Sequence, residues 1–306
     1  MKERNLFQKV ITHRNIWLIF SLIAGFLLPE GAYKLRNSLP FFLGLLMTFS
    51  FAGFSLKTLL PIRTLPNRLL GPFLINYLLF GIVLMGLALL IVGNDKDLLE
   101  GFLFIALAPP GIVIVPFALM LRGDTDLAST GVIGGYLAFM LIFPLAIVFI
   151  WGEQMNLLIE VVEMVVFIIL LPLFISRPLR RGAVGRWLMP RKGWLIDMGF
   201  AIIVYIIVGL NHDSFTTSVA TLLKPMLVLV LVLFGGGMLY EYVQLQLRFT
   251  NARRISNVLL FSVKNTGFAA VTSVTLAGER AAIPSAALSV VLLVYLLVLS
   301  MRKSIV

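Results

Sequence analysis

The chain has 306 residues, of which 60% are hydrophobic and only 13% are charged, and its mean hydropathy is +1.03. This apolar content exceeds that of a soluble globular domain and predicts an integral membrane protein. A net charge of +11 would suggest a nucleic-acid partner for a soluble protein. Basic residues also collect in the cytoplasmic loops of membrane proteins, so nucleic-acid binding is not expected. The absence of cysteine excludes disulfides, thiolate metal sites and cysteine nucleophiles.

Ten segments have the length of about 20 apolar residues that crosses the hydrocarbon core of a bilayer. These predicted spans, numbered 1 to 10, cover residues 15–33, 39–57, 69–92, 99–122, 126–151, 156–176, 194–211, 222–243, 255–277 and 281–301. Span 1 follows a basic N-terminus as a secretory signal would, but no cleavage motif follows it, so we expect it to be retained. Most of the 25 Lys and Arg residues lie at the two termini and after spans 2, 4, 6 and 8. Both termini are therefore expected in the cytoplasm.

The spans divide into two sets of five at the short polar link from Gly152 to Asn156. An odd number of spans per half inserts the second half upside down, which is how inverted repeats arise. We therefore predict an all-α membrane protein of ten transmembrane helices in two inverted five-helix repeats, residues 1–152 and 153–306. The basic loop from Arg177 to Lys192 is predicted to be a hinge or a surface helix.

Spans 4 and 9 are interrupted at matching places, from Ala108 to Gly111 and from Lys264 to Gly267. Each interruption is followed by a Gly-acid pair, Gly123-Asp124 in the first half and Gly278-Glu279 in the second. Interrupted segments at corresponding positions of two repeats point to a transporter's binding site, because free backbone groups persist at membrane depth only around a cavity or inside protein. A proline kink without any binding role is the alternative at a single site, and the matching pair makes that alternative weaker.

Pro110 lacks an amide hydrogen and its ring clashes with the preceding turn, so a continuous helix there costs about 3 kcal/mol or more. In span 9, Asn265 and Thr266 can offer side-chain hydrogen bonds to free backbone groups, and Gly267 adds flexibility. The resulting half-helix N-termini carry partial positive charge, so a negatively charged group is the natural ligand.

Lys264 lies near the centre of span 9, where a lysine costs about 2.5 to 3.5 kcal/mol and should face a cavity or a partner. It could bind a proton or act as a fixed cation that attracts an anionic substrate. The structural alternative is a lysine paired with a carboxylate from another span, for which Glu160, Glu163 and Asp197 are available. Asn76 in span 3 is a further intramembrane polar residue, although a lone asparagine often only bonds to a neighbouring helix.

The candidate binding residues are those of the two interruptions together with Asn76. They are Pro109, Pro110, Gly111, Ile112, Lys264, Asn265, Thr266, Gly267 and Asn76.

These features resemble the bile acid:sodium symporter family in its bacterial ten-helix form, over nearly the whole chain. The resemblance rests on Gly25 to Glu30 at the end of span 1, on Ala108 to Gly111 followed by Arg122 to Asp124, and on Asn265 to Gly267. It implies a panel domain of spans 1, 2, 6 and 7 and a core domain of spans 3–5 and 8–10. It also implies that spans 4 and 9 cross at their unwound centres, and that alternating access moves an organic anion across a bacterial inner membrane.

The family's sodium ligands, however, are replaced in this sequence. Family members usually carry a Ser-Asn pair after the first break, hydroxyl residues in span 5, and a glutamate and a glutamine one turn apart in span 9. The aligned residues here are Ile114 and Val115, Ala128 and Val132, and Leu260 and Lys264. Sodium is a hard cation that needs several oxygen ligands, and aliphatic side chains supply none.

Charge arithmetic suggests a substitute for sodium. One carboxylate with two sodium ions sums to +1, as does one protonated lysine without the carboxylate. The leading hypothesis is a sodium-independent carrier or facilitator of a small organic anion, with the proton as a candidate coupling ion. The alternatives are a cation/proton antiporter, which would need carboxylates at the breaks, and a membrane sensor or degenerate carrier that binds without transport. We expect no enzyme, no cofactor and no metal site, because His13 and His212 lack metal-ligand spacing.

Overall fold

The computed structural model describes residues 14–53, 61–151, 159, 162–163, 166–210, 212 and 219–302. Every regular element in these residues is a helix. Five of the helices are long and apolar enough to cross a membrane: Leu65–Val92, Thr125–Ile150, Gly182–Leu210, Leu222–Gln246 and Arg280–Met301. The all-helical, membrane-type architecture expected from composition is therefore confirmed.

Fifteen α-helices are assigned in the described residues, numbered in chain order. They are α1 (Arg14–Leu27), α2 (Pro29–Leu35), α3 (Leu39–Phe51), α4 (Leu65–Phe73), α5 (Phe80–Val92), α6 (Lys96–Leu107), α7 (Ile114–Met120), α8 (Thr125–Trp151), α9 (Leu171–Ile175), α10 (Gly182–Leu210), α11 (Val219–Val230), α12 (Gly237–Gln246), α13 (Asn251–Ser262), α14 (Thr266–Ala277) and α15 (Ile283–Arg302). Wider π-helical turns at Leu74–Leu79 and Leu231–Gly236 join α4 to α5 and α11 to α12, and a third at Val166–Leu170 precedes α9.

The helices fall into two compact units. The first unit is Met1–Gly53 with Val162–Thr217, and the second is Phe54–Val161 with Ser218–Val306. In the first unit α10 packs against α1, α2 and α3. Helix α1 ends before Pro29, as a proline requires of the residue that precedes it, and the Tyr205 hydroxyl donates to the exposed Leu28 carbonyl at 2.9 Å.

In the second unit, predicted spans 4 and 9 are each divided into two helices. Span 4 forms α6 and α7, and span 9 forms α13 and α14. The Gly-acid pairs lie at the turns that follow. Asp124 accepts from the Leu127 amide at 2.9 Å, and its own amide donates to the Ala252 carbonyl of α13 at 2.9 Å. These bonds fix the start of α13 to the turn between α7 and α8.

A corresponding contact fixes the start of α6. Asp95 caps this helix by accepting from the Leu98 amide at 3.4 Å, and Arg280, which follows Gly278 and Glu279, donates to Asp95 at 2.6 Å. Aromatic packing holds the start of α14 against α8. The Phe139 ring of α8 lies 4.7 Å from both Phe143 and Phe268, centroid to centroid, and so ties α14 to α8.

Some boundaries differ from the predicted spans. Helix α10 begins at Gly182 rather than near residue 194, so most of the predicted Arg177 to Lys192 loop is helical. The helix continues through Pro190 because neighbouring groups compensate for a missing amide in a membrane helix. The predicted link from Gly152 to Asn156 and residue Glu160 lie outside the described residues, and the count of ten spans and the inverted repeat stay predictions.

Helix α6 approaches the start of α15 closely at Gly101. A methyl group there would overlap the Ala281 carbonyl oxygen and lie 2.9 Å from the Pro284 ring. We expect Gly101→Ala to lower the melting temperature in detergent, because overpacking costs about 1 to 3 kcal/mol. Gly86→Ala in α5 is the matched control, since a methyl group there has no neighbour within 4 Å. Equal melting temperatures for the two variants would contradict this close packing.

Candidate functional site

At each of the two breaks the chain leaves the helix and continues as extended backbone. Helix α6 ends at Ala108, which has φ −57° and ψ 146°, because Pro109 and Pro110 cannot donate to the preceding turn. Helix α13 ends at Val263, which has φ −103° and ψ 103°. Asn265 is also extended, with φ −77° and ψ 92°. Each break is therefore a short non-helical segment between two half-helices.

These segments cross as a single antiparallel bridge that pairs Pro110 with Lys264. The Gly111 amide donates to the Val263 carbonyl at 2.9 Å, and the Asn265 amide donates to the Pro109 carbonyl at 2.9 Å. Each break therefore supplies hydrogen-bond partners for backbone groups of the other. Irregular backbone is tolerated inside a membrane protein when its polar groups are bonded in this way.

The Lys264 ammonium lies directly at this crossing. The residue is 1% exposed, and its nitrogen donates three hydrogen bonds: to the Ala108 carbonyl at 2.8 Å, to the Asn76 carbonyl at 3.0 Å and to the Asn76 side-chain oxygen at 2.8 Å. An ammonium has three protons. Every proton is therefore accounted for by an uncharged oxygen.

The two backbone acceptors are carbonyls that lack a normal helical partner. Helix α6 ends next to Ala108, where the helix dipole is negative and cations are favoured. In the π-helical turn the Phe80 amide bonds to the carbonyls of Ile75 and Tyr77. A regular α-helix would instead direct that amide to Asn76. The wider turn thus leaves the Asn76 carbonyl available for the lysine.

Asn76 also satisfies a free carbonyl of the other broken helix. Its side-chain amide donates to the Leu260 carbonyl at 2.7 Å. In an unbroken helix that carbonyl would accept from the amide of Lys264. One buried asparagine therefore connects the end of α13 to the ammonium that caps α6.

Aromatic rings complete the surroundings of the charge. The ammonium nitrogen lies 4.6 Å from the centroid of Tyr77 and 5.1 Å from that of Phe80. Cation–π contacts of this length are worth about 2 kcal/mol or more in a desolvated site. The Tyr77 hydroxyl is itself bonded to the Gly135 carbonyl at 2.7 Å. The positive charge is thus stabilised by dipoles and rings, without a carboxylate among its described contacts.

Asn265 forms the beginning of α14. Its side-chain oxygen accepts from the Phe268 amide at 3.0 Å, and its amide donates to the Tyr136 hydroxyl at 2.7 Å. Thr266 and Gly267 follow as the first buried residues of this 12-residue helix. The positive end of the α14 dipole therefore starts two residues after the lysine.

The structure brings most of the predicted residues together. Lys264 and Asn265 donate hydrogen bonds to the Ala108 to Gly111 break, and Asn76 bonds to Lys264 and to Leu260. Ile112 has no described contact with the ammonium. None of the predicted carboxylate partners is among the described contacts of Lys264. Glu163 and Asp197 belong to the first unit, and Glu160 lies outside the described residues.

The positions aligned with sodium ligands are packed with aliphatic side chains. The six positions are Ile114, Val115, Ala128, Val132, Leu260 and Lys264. All of them except Val115 are buried, and none of the five aliphatic side chains offers an oxygen atom. This donor set does not fit a sodium ion. Among the described residues no cluster of His, Asp or Glu could hold another metal either.

Sequence reasoning missed the three aromatic residues that line the charge and the α14 cap. Tyr77 and Phe80 follow Asn76 within one turn of the same helix, and this spacing could have identified them. Tyr136 carries no such signal, since it bonds to Asn265 across two distant helices.

Comparison with protein-family models and with curated proteins finds no match to this chain. The family resemblance therefore stays a hypothesis that rests on the motifs.

Asn76 and Lys264 should be energetically coupled. Asn76→Leu removes the side-chain oxygen that accepts from the buried ammonium and the amide that donates to the Leu260 carbonyl. Lys264→Met removes the charge but leaves carbonyls without a donor. We expect each variant to lower stability in detergent, and the double variant to lose less than the sum by about 1 to 3 kcal/mol. Additive losses would contradict the bond, and Lys224→Met, which alters an exposed lysine of α11, serves as the control.

Proposed function

We propose that this protein is a secondary carrier or facilitator of an organic anion, that it works by alternating access, and that it needs no sodium. The observation that carries the proposal is the Lys264 ammonium, buried where two broken helices cross and bonded to three uncharged oxygens. In this proposal the tethered ammonium takes the place of a dissociable cation.

The surrounding chemistry supports sodium independence. An alkali cation at a helix break would be held by carbonyl and side-chain oxygens. At the Lys264 crossing three such oxygens already accept from the ammonium, and the remaining candidate positions, such as Leu260 and Val132, are aliphatic. A cation that is covalently attached cannot dissociate, so no sodium gradient would be coupled to transport.

The charge distribution supports an anionic substrate. The described contacts of Lys264 contain no compensating carboxylate, so a protonated Lys264 gives the site a net positive charge. The N-terminus of α14, capped by Asn265, adds the positive end of a helix dipole beside it. An organic carboxylate or sulfonate is the ligand that such a field favours. Membrane-centre carboxylates, which an antiporter would require, are not among the described residues at the crossing.

The helical organisation supports a transporter with inverted repeats. Both halves contain a π-helical turn, then a capped helix, a break, a second helix and a Gly-acid turn, in the same order. In the proposed architecture the unit that contains Lys264 is the core domain, and the unit of α1–α3, α9 and α10 is the panel domain. The bacterial inner membrane, with both termini in the cytoplasm, is the proposed location.

A membrane sensor that binds without transport is the second candidate. The observation that favours it is that all three ammonium protons are used by the protein itself, so a ligand would meet the field of Lys264 rather than its hydrogen bonds. This arrangement would also suit a degenerate carrier.

Reconstitution into liposomes tests the proposal. Counterflow of a panel of radiolabelled anions, from short 2-oxo acids to taurocholate, should reveal exchange whose rate changes less than twofold when choline replaces sodium. Lys264→Gln should lower the rate at least tenfold, because one unit of charge at a buried site is lost, and Lys224→Gln should not.

A steep loss of counterflow in choline would contradict sodium independence. Saturable binding without any counterflow would favour the sensor.

A further inference from the structure

The first unit carries a cationic surface that the proposed transport does not use. This interfacial patch, residues 177–194, comprises the end of the segment after α9 and the first turns of α10. Its six basic residues are Arg177, Arg180, Arg181, Arg186, Arg191 and Lys192. No acidic residue occurs in the sequence from residue 164 to residue 196.

The positive charges are crowded in space as well as in sequence. Arg180, Arg181, Arg186 and Arg191 are exposed. Burial, and then the neighbouring charge of Arg180, lower the pKa of the Arg177 guanidinium from its usual value. A concentrated positive surface of this kind attracts polyanionic surfaces such as an anionic bilayer leaflet.

Apolar side chains are exposed between these charges. Trp187 is 55% exposed and Val184 is 53% exposed, while only Gly185 and Leu188 are buried in the first turns of α10. Trp194 is also exposed, at 38%. Tryptophan rings next to basic residues are typical of the boundary between headgroups and acyl chains.

Arg191 and Trp187 combine a positive charge and an exposed aromatic ring in one contact. The Arg191 guanidinium carbon lies 5.1 Å from the centroid of the Trp187 ring, and the guanidinium donates to the Trp187 carbonyl at 3.0 Å. The indole can then face the acyl chains while the remaining guanidinium donors face phosphate oxygens, which arginine binds through two parallel bonds.

We propose that the interfacial patch binds the phosphate groups of anionic phospholipids from the surrounding leaflet. Alternation of cations with exposed tryptophan and valine fits a lipid surface better than a nucleic acid, whose phosphates would leave these apolar side chains in water. The inference does not depend on transport activity, because it requires only that the chain lies in a membrane.

A lipid-quenching experiment on the full chain tests this binding. In a version that keeps Trp187 and replaces Trp17, Trp151 and Trp194 by Phe, quenching by brominated lipids reports the lipid next to the patch. At 50 mM NaCl we expect brominated phosphatidylglycerol to bind at least tenfold more tightly than brominated phosphatidylcholine, at about fivefold per basic residue. The preference should shrink at 500 mM NaCl.

Charge-removing variants locate the effect. Arg181→Gln, Arg186→Gln and Arg191→Gln together should abolish the preference for phosphatidylglycerol. The matched control is Arg63→Gln, Arg248→Gln and Arg253→Gln, which removes three exposed charges from the second unit and should keep the preference.

Four results would overturn the proposal. They are no preference in the parent, a preference that survives the patch variant, a preference that does not change with salt, and binding of single-stranded RNA without lipid preference. If the patch variant fails to fold, the salt titration of the parent still decides the question.

Discussion

Three hydrogen bonds from one ammonium group to uncharged oxygens hold together the crossing on which the second unit depends. A lysine at membrane depth is costly, and a helix break at that depth leaves carbonyls without donors. The lysine and the break compensate for each other, because the Lys264 ammonium donates to the Ala108 and Asn76 carbonyls, which lack a helical donor. The break in span 4 and the lysine in span 9 are therefore best understood as parts of one structure.

Asn76 satisfies polar groups on both sides of the crossing. Its π-helical turn frees one carbonyl for the ammonium, while its side chain bonds to Lys264 and to the Leu260 carbonyl at once. Pro109 and Pro110 end α6, and the extended backbone around Pro110 and Lys264 then pairs across the crossing and satisfies part of its own polar groups. A protonated Lys264 places a positive charge beside the start of α14, which is the physical basis for proposing an anionic ligand.

Several of these features could be predicted from the sequence. Pro109 and Pro110 predicted the first break because a proline cannot donate, and Asn265 and Gly267 predicted the second because of their capping chemistry and flexibility. The intramembrane cost of a charge identified Lys264. Asn76 was identified as a polar residue at membrane depth, although its two bonds were not.

Other features were not predictable because they depend on distant packing. Carboxylates were considered as partners of the lysine, whereas its described acceptors are the Asn76 side-chain oxygen and two backbone carbonyls, and no sequence pattern reveals the latter. The π-helical turn at Leu74–Leu79 has no local signal comparable to a proline. Helix α10 begins at Gly182 and continues through Pro190, whereas span 7 was predicted to begin at residue 194, after a separate hinge or surface helix. Long-range pairs such as Tyr136 with Asn265 require knowledge of which helices meet.

The central claim is that a positively charged hydrogen-bond donor is required at the crossing, and chemical rescue of Lys264→Ala tests it most directly. The variant is purified and melted in detergent with methylammonium chloride, or with an equal concentration of tetramethylammonium chloride, which carries the same charge but no N–H group. We expect methylammonium to raise the melting temperature of Lys264→Ala by about 2 °C or more over tetramethylammonium, because it binds the vacated oxygens. We expect no such difference for Lys224→Ala. Identical melting temperatures of Lys264→Ala in the two salts would contradict the claim.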